Sequence, residues 1–129
     1  MTKKVMVLMG GFSAEREVSL QSGAGIAEAL RRKGYEVTTH DLSDTRQLLA
    51  ELGRSKPDVV FNALHGNWGE DGTVPALLDL LQIPYTHSGM QASCVGMNKY
   101  LCRLIAEKAG LKTAYGRKLT AREFITQGS

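Results

Sequence analysis

Residues 5–9 form an unbroken apolar run of strand length, set between Lys3 and Lys4 on one side and Gly10 and Gly11 on the other. Such a run predicts a parallel strand buried on both faces. Ser13 then stands where it can cap a helix that carries Glu15 and Glu17 early, Arg31, Arg32 and Lys33 late, and ends at Gly34. Val18, Ser22, Ile26 and Leu30 recur every fourth residue and are expected to form its core-facing stripe. Residues 35–40 alternate as a second strand, and Leu48, Leu49 and Leu52 mark a helix over 45–53. A third strand over 59–63 follows Pro57 and Asp58, a glycine-rich loop follows over 64–72, and a short helix follows over 73–81.

Pro84 and Tyr85 begin a predicted short fourth strand. From Gln91 the pattern is helical, with a break near Asn98 and a second helix over 99–109 that closes at Gly110. Residues 111–119 read as linker and strand, and 121–127 as a last helical turn or two. Alternating strands and helices predict an α/β fold, an open parallel sheet joined by right-handed crossovers with helices on both faces. The expected division is a domain over residues 1–97, with 98–129 as a linker and the start of a following domain.

In such sheets the loops at the carboxyl ends of the strands line the ligand crevice. That rule singles out three segments: 10–15, 65–72 and 88–99. The first, Gly-Gly-Phe-Ser-Ala-Glu, links a strand to a helix but contains neither GxGxxG nor a phosphate-binding loop ending in Gly-Lys-Ser/Thr. Instead Glu15 occupies the helix start, where a carboxylate can meet an ammonium. The plainer reading is that it complements the helix dipole, and local sequence by itself favours that.

The second segment, His-Gly-Asn-Trp-Gly-Glu-Asp-Gly, places His65 directly after a buried strand, followed by glycines that permit a tight turn or close backbone approach. Glu70 and Asp71 read either as a metal pair or, preferably, as caps for the next helix. The third segment ends in Lys99 at a helix start, which reads as a surface lysine or as a point charge for a phosphate.

Composition narrows the classes. Sixteen basic residues against 13 acidic give +3, but the basic ones are spread along the chain and aromatic residues make up only 6%, so no nucleic-acid footprint is present. Cys94 and Cys102 match neither a CxxC motif nor zinc spacing and are expected to be buried free thiols. The amino terminus resembles no signal peptide, no membrane span is expected, and a reducing cytoplasm fits.

Together the three segments resemble the D-alanine:D-alanine ligase family. Its first signature, Gly-Gly-x-Ser-x-Glu-x-x-Val-Ser, is matched by residues 10–19, and its second, His-Gly-x-x-Gly-Glu-Asp-Gly, by residues 65–72. Its third, Pro-Tyr-Thr-x-Ser-Gly followed by Asp-Lys, is similar to residues 84–89 and then Asn98 and Lys99. Asn98 departs from the family's aspartate, His87 stands where small residues are frequent, and Pro75 and Ala76 replace a common Gln-Gly.

The resemblance implies a pre-ATP-grasp, Rossmann-like domain of an ATP- and Mg²⁺-dependent ligase that joins two D-alanines through an acyl phosphate for peptidoglycan synthesis. It implies that Glu15 binds the ammonium of the first D-alanine, that Val18 lies by its methyl and that His65 sits near its carboxylate. Lys99 would touch ATP phosphate, while the Mg²⁺-binding carboxylates and the rest of the ATP site are expected beyond residue 129, leaving no metal ligand here. Glu15 and His65 are thus the candidate catalytic residues. A stand-alone flavodoxin-like binding module and the amino-terminal domain of another ATP-grasp ligase are the competing readings. The oligomeric state stays open, a homodimer included.

Overall fold

The computed structural model describes residues 2–127. The chain divides into two compact units, Met1–Cys94 and Val95–Ser129. The first is built on β1 (Lys4–Gly10), the centre of a three-stranded parallel sheet in the order β2-β1-β3, with β2 at Glu36–Leu42 and β3 at Val59–Asn62. Leu8 lies opposite His40 on one side and Asn62 on the other.

The side chains of β1 alternate between two cores, which is why its sequence is apolar at every position. Met6 and Leu8 face a cluster with Leu42, Leu48, Leu52, Val60, Leu64, Val74 and Leu78. That cluster draws on α2 (Thr45–Ser55) and α3 (Thr73–Leu80). Val7 faces the opposite side, with Ala27 and Ala63 and the partly buried Met9, Ile26, Leu30, Val37 and Phe61, under α1 (Arg16–Arg32). Helices cover both faces of the sheet, and each fully buried Leu contributes about 1.5–3 kcal/mol.

The helix α1 meets the sheet with Ile26 and Leu30 of the expected stripe partly buried, but its closest contacts come from the neighbouring stripe of small residues. Ser19, Gly23 and Ala27 are its buried residues, and Val18 is 54% exposed. Periodicity fixes the spacing of a stripe but not its side, and here closeness decided. A Cβ on Gly23 would stand 2.5 Å from Met9 Sδ, so the helix lies against β1 at a distance only small residues allow. The helix also begins later than expected: Glu15 is the N-cap residue, and Ser13 Oγ accepts from the Glu15 N–H at 3.1 Å in a turn ahead of the helix.

The expected fourth strand reduces to one bridge between Val60 and Tyr85, in which the Val60 N–H donates to the Pro84 carbonyl and the Thr86 N–H to the Val60 carbonyl. Proline has no N–H to extend a ladder, and His87 adopts a positive φ of 88° that turns the chain away.

Beyond it lies α4 (Met90–Met97). In the second unit Asn98 caps α5 (Lys99–Lys108) by accepting from the Leu101 N–H at 3.1 Å, and α6 spans Ala121–Gln127. The strand expected within 111–119 is absent; Leu111 and Tyr115 are exposed there and find no ladder. Cys94 and Cys102 are free but exposed rather than buried, because α4 and α5 bury none of their residues. Among the described residues no helix is long and apolar enough to cross a membrane.

Candidate functional site

Because β1 and β3 are adjacent and parallel, the segments that leave their carboxyl ends emerge at the same edge of the sheet. The first begins with Gly10 and Gly11, both at positive φ. Gly10 is glycine because of an ion pair: a Cβ there would fall 2.1 Å from Asp41 Oδ1 and 2.7 Å from Arg16 Nη1. Arg16 grips Asp41 with both terminal nitrogens, at 2.7 and 2.5 Å, and so ties the start of α1 to the end of β2. That hydrogen bonding holds the Asp41 carboxyl below its usual range, against some opposing burial, and raises Arg16.

Asn62, at the end of β3, organises the second segment from within. It is buried; its Nδ2 donates to the Gly69 carbonyl at 2.8 Å and its Oδ1 accepts from the Leu64 N–H at 3.2 Å. Glu70 closes the loop by accepting from the Gly66 N–H at 2.7 Å, so it does not cap α3. Asp71 does serve the helix start, accepting from the Thr73 N–H at 2.9 Å as well as from the Trp68 N–H. Burial pushes the Asp71 carboxyl up, but these backbone donors and Thr73 outweigh it and bring it below its usual range.

The two segments touch at three places. Ser19 Oγ, fully buried, accepts from the Gly10 N–H at 2.9 Å and donates to the Ala63 carbonyl at 2.7 Å, joining the ends of β1 and β3 through one hydroxyl. The Phe12 and Trp68 rings meet at a 60° tilt, with their centres 5.3 Å apart. A Cβ on Gly66 would lie 3.0 Å from Ser13 Cβ and 3.4 Å from Glu15 Oε2, so the residue after His65 is side-chain-free where the Glu15 carboxylate comes near.

Glu15 itself has no hydrogen bond or ion pair on its carboxylate among the described residues. His65 Nε2 is buried and has no hydrogen-bond partner. A buried polar nitrogen left unpaired costs about 1–3 kcal/mol, and in a native fold such a group calls for a ligand or solvent partner. Val18, one turn into α1, is exposed. The structure therefore brings Glu15 and the His65 loop together. Lys99 is the first residue of α5 in the other unit.

Sequence reasoning missed Arg16, Asp41, Ser19 and Asn62. Two signals could have found them: a polar residue ending a buried strand (Asn62), and a serine at the position where a core-facing stripe of small residues begins (Ser19). No group of three or more His, Cys, Asp or Glu that could hold a metal ion occurs among the described residues.

Comparison with known proteins adds independent support. The family model described as D-ala D-ala ligase N-terminus matches residues 4–56 and 43–88. The D-alanine–D-alanine ligase of Parvibaculum lavamentivorans is 55% identical over 112 residues, covering 87% of this chain and 36% of that protein. That of Rhizobium meliloti is 48% identical over 126 residues, covering 98% of this chain and 40% of its own length. The chain thus spans well under half the length of these relatives.

Among solved structures, the Bacillus anthracis D-alanine–D-alanine ligase complexed with ATP superposes with a TM-score of 0.82 at 30% identity, over 99% of this chain and 45% of that one. The Coxiella burnetii ligase gives 0.79 at 27%, over 98% and 49%. With both signature segments inside the matched region and folded against each other at one sheet edge, the chain belongs to the D-alanine–D-alanine ligase amino-terminal family.

Proposed function

We propose that this chain is the first-substrate-binding part of an ATP-dependent D-alanine:D-alanine ligase, a cytoplasmic enzyme of peptidoglycan synthesis. The observation that carries the reading is the pairing of two unsatisfied groups of opposite preference. The unpaired Glu15 carboxylate approaches Gly66, the residue after His65, whose Nε2 is buried and unpartnered. A zwitterionic amino acid needs both, a counter-charge for its ammonium and a donor for its carboxylate. In this reading Glu15 takes the ammonium of the first D-alanine, exposed Val18 lies by its methyl, and His65 donates to its carboxylate. Methyl placement against Val18 then selects D over L.

Bound ATP supplies the phosphoryl group that activates the carboxylate of the first D-alanine, and the amine of the second displaces it to form the peptide bond. Lys99, at the amino end of α5, is the residue of this chain suited to an ATP phosphate. Residues 98–129 are read as the beginning of the domain that holds ATP. Mg²⁺ is also implied by the family, and no ligand cluster for it occurs among the described residues.

The test is Glu15→Gln in the ligase that carries this chain. An amide keeps the shape and loses the counter-charge, and a charged hydrogen bond is worth about 1.5–3 kcal/mol, so KM for the first D-alanine should rise roughly ten- to a hundredfold. Stability should barely move. Unchanged kinetics with a lowered melting temperature would make Glu15 a helix-dipole residue and retire the proposal.

A further inference from the structure

Glu15 and Arg16 are consecutive and oppositely charged, yet they do not pair. Arg16 instead reaches to the end of β2, giving Nη1 to Asp41 Oδ1 at 2.7 Å, Nη2 to Asp41 Oδ2 at 2.5 Å, and Nη1 to the Gly11 carbonyl at 3.3 Å. A forked guanidinium that meets a carboxylate with both nitrogens is fixed in direction as well as place. The Glu15 carboxylate is left without a partner, beside Gly66. The arrangement has required room in the fold, since any side chain at Gly10 would collide with both members of the pair.

We propose that Asp41 is a positioning residue for the substrate site: by holding Arg16 at the end of β2 it keeps the neighbouring cation off Glu15, whose carboxylate stays free for the substrate's ammonium. This rests on the assignment of Glu15 to the ammonium. The physical reason is competition. Arg16 is tethered one residue from Glu15 and always charged, so once released it is a counter-ion at high effective concentration, and the substrate would have to displace it. Glu17 also acts on Arg16 electrostatically, and a released guanidinium would divide between the two glutamates.

The experiment measures KM for the first D-alanine and kcat, at saturating ATP, in the ligase carrying this chain. Asp41→Asn keeps the shape and frees Arg16; KM should rise about tenfold with kcat little changed, and the defect should shrink as salt screens the misplaced charge. Arg16→Gln leaves no cation to misplace and should raise KM less than Asp41→Asn does. Combining the two should bring KM back to the Arg16→Gln value. A pair that merely braces α1 against β2 predicts otherwise: equal damage from either single change and no relief in the double, which would overturn the proposal.

Should Asp41→Asn fail to fold, Arg16→Gln alone decides against it if KM rises tenfold or more, on the order expected for loss of a positioning brace. Glu15→Gln run alongside keeps the two readings apart. If it leaves KM unchanged, the ammonium site is misassigned and this inference falls with it. If it raises KM while Asp41→Asn does not, only this inference is lost.

Discussion

Ser19 joins the two loops of the candidate site through a single side chain. Its hydroxyl is fully buried and satisfies two backbone groups at once, the Gly10 N–H and the Ala63 carbonyl. Ser19→Ala keeps the small volume α1 needs and strands both groups in the core. Leaving buried polar groups unsatisfied costs about 1–3 kcal/mol, so the melting temperature should fall by several degrees, as thermal denaturation of the chain would record. An unchanged melting temperature would mean that water reaches both groups. Gly10 teaches the complementary lesson: a glycine in a ligand-edge loop invites the reading that a ligand approaches it, whereas its hydrogen makes room for the Arg16–Asp41 pair.

At the scale of elements, α1 shapes the candidate site because Glu15 is its N-cap residue, its first residues include Arg16, Val18 and Ser19, and its middle sets its height over β1. Gly23 is the contact point, where a Cβ would sit 2.5 Å from Met9 Sδ and 2.6 Å from Met9 Cβ. Gly23→Val should therefore push the helix off the sheet. Overpacking of this kind costs about 1–3 kcal/mol, and the displaced Ser19 bridge adds to it. Gly25→Ala serves as the control, since nothing stands within 4 Å of its would-be Cβ, and a helix gains from the exchange. Comparison of the two melting temperatures checks the argument; equal effects would show that helix propensity, not closeness to Met9, governs Gly23.

For the whole molecule, the proposed function gives the chain one side of a reaction that needs more. No metal-ligand cluster occurs among the described residues, and no phosphate-binding glycine loop occurs in the sequence. On the proposed function, the 129-residue chain by itself is expected to release no phosphate from ATP above background with D-alanine and Mg²⁺, whereas a ligase containing it should. A phosphate-release assay on both reads this directly, and turnover by the chain alone would overturn the division of labour. The three-layer arrangement, with α1 on one face and α2 and α3 on the other, puts the loops of β1 and β3 at one edge, where parallel sheets present their ligands.

The strand residues 5–9, most of the helix Thr45–Ser55, the turn at Gly34 and the helix break near Asn98 were all legible in the sequence, because each rests on local rules: apolar runs, helical spacing and positive φ at glycine. So were the places of Glu15 and His65 after strands and of Lys99 at a helix start, whereas substrate roles for these residues and for Val18 came from the family resemblance and stand as proposals. Only the tertiary structure decided which stripe of α1 faces the sheet, that Pro84 and Tyr85 make a single bridge, that Glu70 closes a loop rather than capping a helix, and that Arg16 turns to Asp41 rather than to Glu15. Asp41 lies 25 residues from Arg16 along the chain and Ala63 lies 44 from Ser19. Periodicity reports what repeats within one element, whereas these partners meet only because β2, β1 and β3 lie side by side, and that adjacency is written in no local stretch of sequence.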